Sequence, residues 1–157
     1  MNTEQHPWWL IPIVQGFGQA VTWAIVLFGW HIVNKQNNAR ESRKEIRSSI
    51  DRLIVRIEKL GELAIKFHST EFDASLARSI LQELQNIQKT TKLTGLLSNS
   101  EQNQLNIDIR RSITLKNFDQ SSYKQLSLRD PQIDRISCAV TNIIDAVENG
   151  FLKKFPR

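Results

Sequence analysis

The chain has one cysteine, Cys138, so neither an internal disulfide nor a thiolate metal cluster is open to it, which suits a reducing cytoplasm. Its three histidines, His6, His31 and His68, stand too far apart to pair at metal-ligand spacing. Glycine and proline are sparse, six and four in 157 residues, and neither GxxxxGK[ST] nor GxGxxG offers a phosphate cradle. Neither His31 nor His68 has the nearby Arg with which helical ribonucleases steer phosphate while the imidazole moves protons. Asp130 and Asp134 stand one helical turn apart, as paired carboxylates do, yet Asp130 reads better as a helix cap. These absences leave no catalytic constellation, and a protein without enzymatic activity, cofactor or metal is expected.

Charge is also missing from one long stretch. Between Trp8 and Val33 no residue is charged apart from the neutral-leaning His31. As a helix this stretch would be roughly 39 Å long, more than a hydrocarbon core of about 30 Å requires. A secretory signal peptide does not fit, because the leader MNTEQHP lacks Lys and Arg. Trp8, Trp9 and Trp30 sit where interfacial aromatic belts fall, and Lys35, Arg40, Arg43, Lys44 and Arg47 follow the second belt. The positive-inside rule then places the N-terminus outside and the remainder in the cytoplasm. The expected layout is a periplasmic leader at 1–7, a transmembrane helix at 8–33, a basic juxtamembrane linker or stalk at 34–45 and a cytoplasmic helical domain at 46–157.

Within that stretch Gly16, Ala20 and Ala24 recur every fourth residue, a spacing that lets two helix backbones approach closely. Gln15, Gln19 and Thr22 lie beside them, and their polar groups call for another helix or a water-filled pore. With no second hydrophobic span in the chain, a homo-oligomer or another protein must supply that helix.

Beyond it, Ile46, Ile50, Leu53, Ile57, Leu60, Ala64 and Phe67 are spaced as a heptad seam. Two uses of the seam stand open: a coiled coil between chains, or one amphipathic helix packed inside its own bundle. A turn near Ser69 and Thr70 precedes a second helix, about residues 73–89, with Leu76, Ile80, Leu84 and Ile87 on one face. Gly95 reads as a stop, and Ser98 with Glu101 as a capping box opening a third helix that carries Leu105, Ile109 and Ile113. Residues 115–129 lack a period and read as a loop. Asp130 and Pro131 start a fourth helix bearing Ile133, Ile136, Val140, Ile143 and Val147, with Gly150 marking its end. The fold class expected is all-α: one N-terminal transmembrane helix, then a small helical bundle.

Lys and Arg outnumber Asp and Glu by 21 to 16, and Glu4 alone precedes the uncharged stretch. The basic excess therefore lies in the bundle and favours anionic neighbours, with lipid head groups the simplest. Arg110, Arg111, Lys116, Lys124, Arg129 and Arg135 cluster near the irregular loop, where they can fork onto phosphate while Tyr123 stacks on a base. The plainer alternative is a solvated basic face.

The layout, from Trp8 and Trp9 through the Gly16–Ala20–Ala24 stretch to a basic helical domain, resembles small membrane effectors of bacterial antiphage defence. It is similar in architecture to the membrane-anchored accessory proteins of type III CRISPR systems. That resemblance implies an inner-membrane oligomer that binds cyclic oligoadenylate through the seven residues above and disturbs the membrane through Gln15, Gln19 and Thr22. The alternative from a different class is an anchor or scaffold that recruits a protein partner through its helical domain.

Overall fold

The structure, a computed structural model, describes residues 10–115 and 117–156, with side chains from Thr22 onward. Among these residues there are four helices: α1 (Leu10–Ser69), α2 (Ala74–Thr94), α3 (Asn99–Thr114) and α4 (Pro131–Lys154). The chain divides into two units between Lys44 and Glu45.

In the first unit every described side chain, from Thr22 to Lys44, is exposed, including Trp23, Phe28, Trp30 and Val33. Among the described residues no helix is long and apolar enough to cross a membrane. This corrects the expected transmembrane helix over 8–33, and with it the single-pass inner-membrane placement. Trp8 and Trp9 lie outside the described residues, as do the side chains of Gln15, Gly16, Gln19 and Ala20; Thr22 and Ala24 are exposed. The 34–45 stretch is helical throughout, because neither Pro nor Gly interrupts it.

The second unit is an all-helical bundle. Ile50, Leu53, Ile57, Leu60, Ala64 and Phe67 of α1 have no solvent exposure at all. Their seam is covered by Ala77, Ile80 and Ile87 of α2, Ile109 and Ile113 of α3, and Ile136, Ile143, Val147 and Phe151 of α4. Of the two uses open to the heptads, the structure shows the internal one. A fully buried Leu or Ile contributes about 1.5–3 kcal/mol, so this stripe is the main reason for α1 to hold its neighbours.

Local signals set the helix ends. Asp73 caps α2 by accepting from the Ser75 and Leu76 amides, at 2.7 and 3.2 Å. Gly95 closes the same helix in the left-handed conformation, φ 58°, which disfavours any side chain. The α2 helix runs five residues past the expected Lys89 because nothing before Gly95 stops it and Thr91 is buried. Ser98 and Glu101 form the expected capping box, and Asp130 with Pro131 opens α4. Gly150 does not end α4. It lies inside the helix, where a Cβ would stand 2.9 Å from the Leu96 carbonyl oxygen, so the α2–α3 turn packs directly onto the α4 backbone. Phe151, buried one residue later, carries the helix onward.

Two ion pairs tie α1 to its neighbours. Arg56 donates to both carboxylate oxygens of Glu83 on α2 from Nε and Nη2, at 2.7 and 3.2 Å. Arg47 meets Glu148 of α4 at 2.6 Å and Asp51 at 2.9 Å, with its guanidinium 5.6 Å from the Phe151 ring centre. Both pairs are half exposed and add modestly to the apolar core.

Gly150→Ala is expected to cost about 1–3 kcal/mol, since its Cβ meets backbone rather than a movable side chain. Gly29→Ala, with nothing within 4 Å of the added Cβ, should cost nothing. Urea unfolding of the two variants beside the parent chain checks both, and equal stabilities would remove the close contact at Gly150.

Candidate functional site

The basic cluster was expected around residues 110–135, and that region begins where α1 ends. A helix leaves its last carbonyls without partners; here the end is deep in the bundle, with Phe67 and His68 fully buried. The irregular segment after α3 supplies the donors. Leu126 N–H donates to the His68 carbonyl at 2.7 Å, and Gln125 Nε2 to the Ser69 carbonyl at 2.8 Å. The Tyr123 hydroxyl shares its proton between the carbonyls of Phe67 and Thr70. Around it Phe67, Phe72, Phe118 and Tyr123 form an edge-on and tilted aromatic cluster with ring centres 5.0–5.9 Å apart.

His68 is a satisfied core histidine. Its Nε2 lies 2.9 Å from the Ile113 carbonyl, so that nitrogen carries the proton. Nδ1 then accepts from Asn117 Nδ2 at 3.1 Å. Asn117 completes the node by donating to the Lys124 carbonyl at 2.9 Å and accepting from the Lys124 amide at 2.7 Å. Burial, opposed in part by the Ile113 contact and by Asp130, holds the His68 pKa below its usual 6.5. A protonated ring would turn a second donor against the Asn117 amide.

Of the seven residues expected to bind an anion, the six that are described do not converge. Lys116 lies outside the described residues. Tyr123 is engaged with the end of α1, and burial pushes its phenol pKa up. Lys124 and Arg129 are exposed on the loop. Arg110 and Arg111, adjacent on a helix and so about 100° apart, face different neighbours: Arg110 borders a cleft against α2, and Arg111 a groove against α4. Arg111 and Arg135 are the two that the fold brings together, in the α3–α4 groove.

That groove carries two of the bundle's depressions, and a further one of about 560 Å³ lies between α1 and α2 beside Arg56 and Glu83. Gln132 Nε2 donates to the Ser112 carbonyl at one end and Gly150 packs on Leu96 and Leu97 at the other, so α3 and α4 run antiparallel. Two depressions of about 430 and 530 Å³ lie along the pair and share Leu105. Leu96, Leu97, Leu105, Leu115, Ala139 and Ala146 supply apolar walls. At the first depression the rim carries Asp108 and Asp134 as well as Arg111 and Arg135. Gln104 holds Asp108 in place with bonds of 3.0 and 3.1 Å. Cys138, the one thiol, is exposed in the same groove. Periodicity did not point to this groove, because it follows from which flanks of two helices meet. Among the described residues no three His, Cys, Asp or Glu side chains are placed to hold a metal ion.

No protein family, no curated protein and no solved structure matches this chain.

Below the unfolded-state pKa of about 6.5 the unfolded chain takes up a proton at His68 that the native chain resists. This contribution to stability is therefore complete above pH 6.5 and declines as pH falls towards the lowered native value. Long-range proton–nitrogen correlation spectra should show Nε2 protonated and Nδ1 bare at pH 6.5, and a ring half protonated there would contradict the buried node. Tyr123→Phe should cost about 1 kcal/mol in urea unfolding through loss of the carbonyl cap.

Proposed function

We propose that the protein is a non-enzymatic adaptor whose bundle recruits a protein partner, an amphipathic helix of that partner lying in the α3–α4 groove. The observation that carries this reading is the pair of depressions along α3, which have Leu105 in common. The 16 residues of α3 correspond to roughly 24 Å of groove, the length of about four turns of a partner helix. Such a surface, apolar below and polar at the rim, suits a helix with one apolar stripe. Two Asp and two Arg at one end favour a partner carrying both signs of charge over a polyanion.

Self-association belongs to the same proposal. Trp23, Ile25, Val26, Leu27, Phe28, Trp30, Ile32 and Val33 surround their helix and are 42–68% exposed, which a lone helix in water does not sustain. Copies of the chain that bundle these segments together would cover them.

The second reading is a site for an anionic nucleotide messenger such as cyclic oligoadenylate. One observation favours it: Arg111 and Arg135 share a depression large enough for a nucleotide.

Labelling Cys138, the one thiol, with a photo-crosslinker separates the readings. The adaptor reading expects a single protein partner in the source cell, lost on Ala146→Arg, and no response of a Cys138 fluorophore to cyclic tetra-adenylate. A saturable nucleotide response abolished by Arg111→Ala with Arg135→Ala would establish the second reading and overturn the first. For the assembly, light scattering in detergent-free buffer should report a defined oligomer that shrinks on Trp23→Lys with Phe28→Lys; a monomer, or a chain that stays dispersed only in detergent micelles, would refute it.

A further inference from the structure

The opposite flank of α3 holds a second, smaller feature. Gln102 and Asn106 stand one turn apart, and the side-chain nitrogen of each is buried without a hydrogen-bond partner. Gln102 is only 6% exposed. A buried amide left unpaired is unfavourable, and native proteins that keep one usually have something to place against it. Asn106 borders a cleft of about 80 Å³ between α2 and α3, next to Arg110, with Gln85 and Gln88 across from it and Leu84 and Ile109 behind.

The chemistry of this cleft differs from that of the α3–α4 groove. No carboxylate borders it, and among the described residues no ion pair joins Arg110 to one. The guanidinium can only donate, and the Asn106 nitrogen is a donor with nothing to receive its protons. Gln85 and Gln88 can turn either end of their amides inward. The volume accepts a group of a few heavy atoms and excludes a nucleoside.

We infer that the α2–α3 cleft is a binding site for a single small oxyanion, phosphate or carboxylate, held between the Arg110 guanidinium and the Asn106 carboxamide. Arg110 supplies the charge and a planar fork, and Asn106 fixes the depth at which the anion sits. The ligand is either free inorganic phosphate or the carboxylate of a protein side chain.

Thermal unfolding of the full chain at constant ionic strength, against inorganic phosphate in one series and acetate in the other, tests this. Binding to the native state raises the unfolding temperature in step with ligand concentration. The parent chain should show a saturable rise with millimolar midpoint in at least one series. Arg110→Gln should move that midpoint at least tenfold higher. Asn106→Leu should raise the unfolding temperature without ligand, since it removes an unpaired amide, and should abolish the ligand dependence. Response to phosphate alone marks a free-phosphate site, and response to acetate in either case marks one open to a protein carboxylate. An equal rise in the parent and both variants is general salting-out by phosphate and overturns the site; so does the absence of a response in both series, which leaves the cleft to water.

Discussion

A long helix that ends inside a hydrophobic core must pair its last carbonyls there, and the chain beyond residue 114 is organised around that requirement. The seam from Ile50 to Phe67 draws α1 into the bundle until its final turn lies beneath other elements. The carbonyls of Phe67 and His68 then belong to fully buried residues, while those of Ser69 and Thr70 follow towards the surface. Tyr123, Gln125 and Leu126 reach back to them across more than fifty residues of sequence, and the His68–Asn117 node pins the same segment from the other side. An irregular segment is thereby made specific. Its geometry fixes where Asp130 and Pro131 start α4, and so where α4 lies against α3.

The same constraint redistributes the basic residues. Tyr123 is turned to the core and cannot stack on a ligand base. Arg47 and Arg56 are spent on Glu148 and Glu83, holding α1 to α4 and α2. Arg110 and Arg111 part company because adjacent helical positions look in different directions. A chain with a net charge of +5 thus presents no single cationic face among these residues, and its concave surfaces acquire distinct chemistry. One flank of α3 borders two depressions with apolar walls and balanced charge; the other borders a small cleft with one guanidinium, three carboxamides and no carboxylate. The proposed partner helix and oxyanion each follow from that division.

Much of the bundle was legible beforehand. The spacings of Ile50 to Phe67, Ile109 with Ile113, and Ile133 to Val147 identified buried faces because apolar periodicity records what must leave water. Asp73, Gly95, Ser98 and Asp130 marked helix ends through interactions confined to three or four residues. The extent of α2 and the place of Gly150 were misjudged, since both depend on what packs against them from elsewhere. The expected span at 8–33 was corrected because hydropathy along a sequence says how apolar a stretch is, and the described helix is not apolar over a sufficient length.

The candidate site was less legible, for a physical reason. Proximity in sequence suggested that seven residues between 110 and 135 share a surface, and of the six described only Arg111 and Arg135 line one depression. By itself the sequence determined the all-helical composition, the faces that are buried, the caps, and the absence of a metal or phosphate motif, all of which are local or periodic properties. The tertiary structure alone decided that the seam closes on its own chain, that Tyr123, His68 and Asn117 serve the end of α1, and that the two flanks of α3 differ. Those outcomes depend on contacts between residues far apart in the chain, whose energies no local pattern contains.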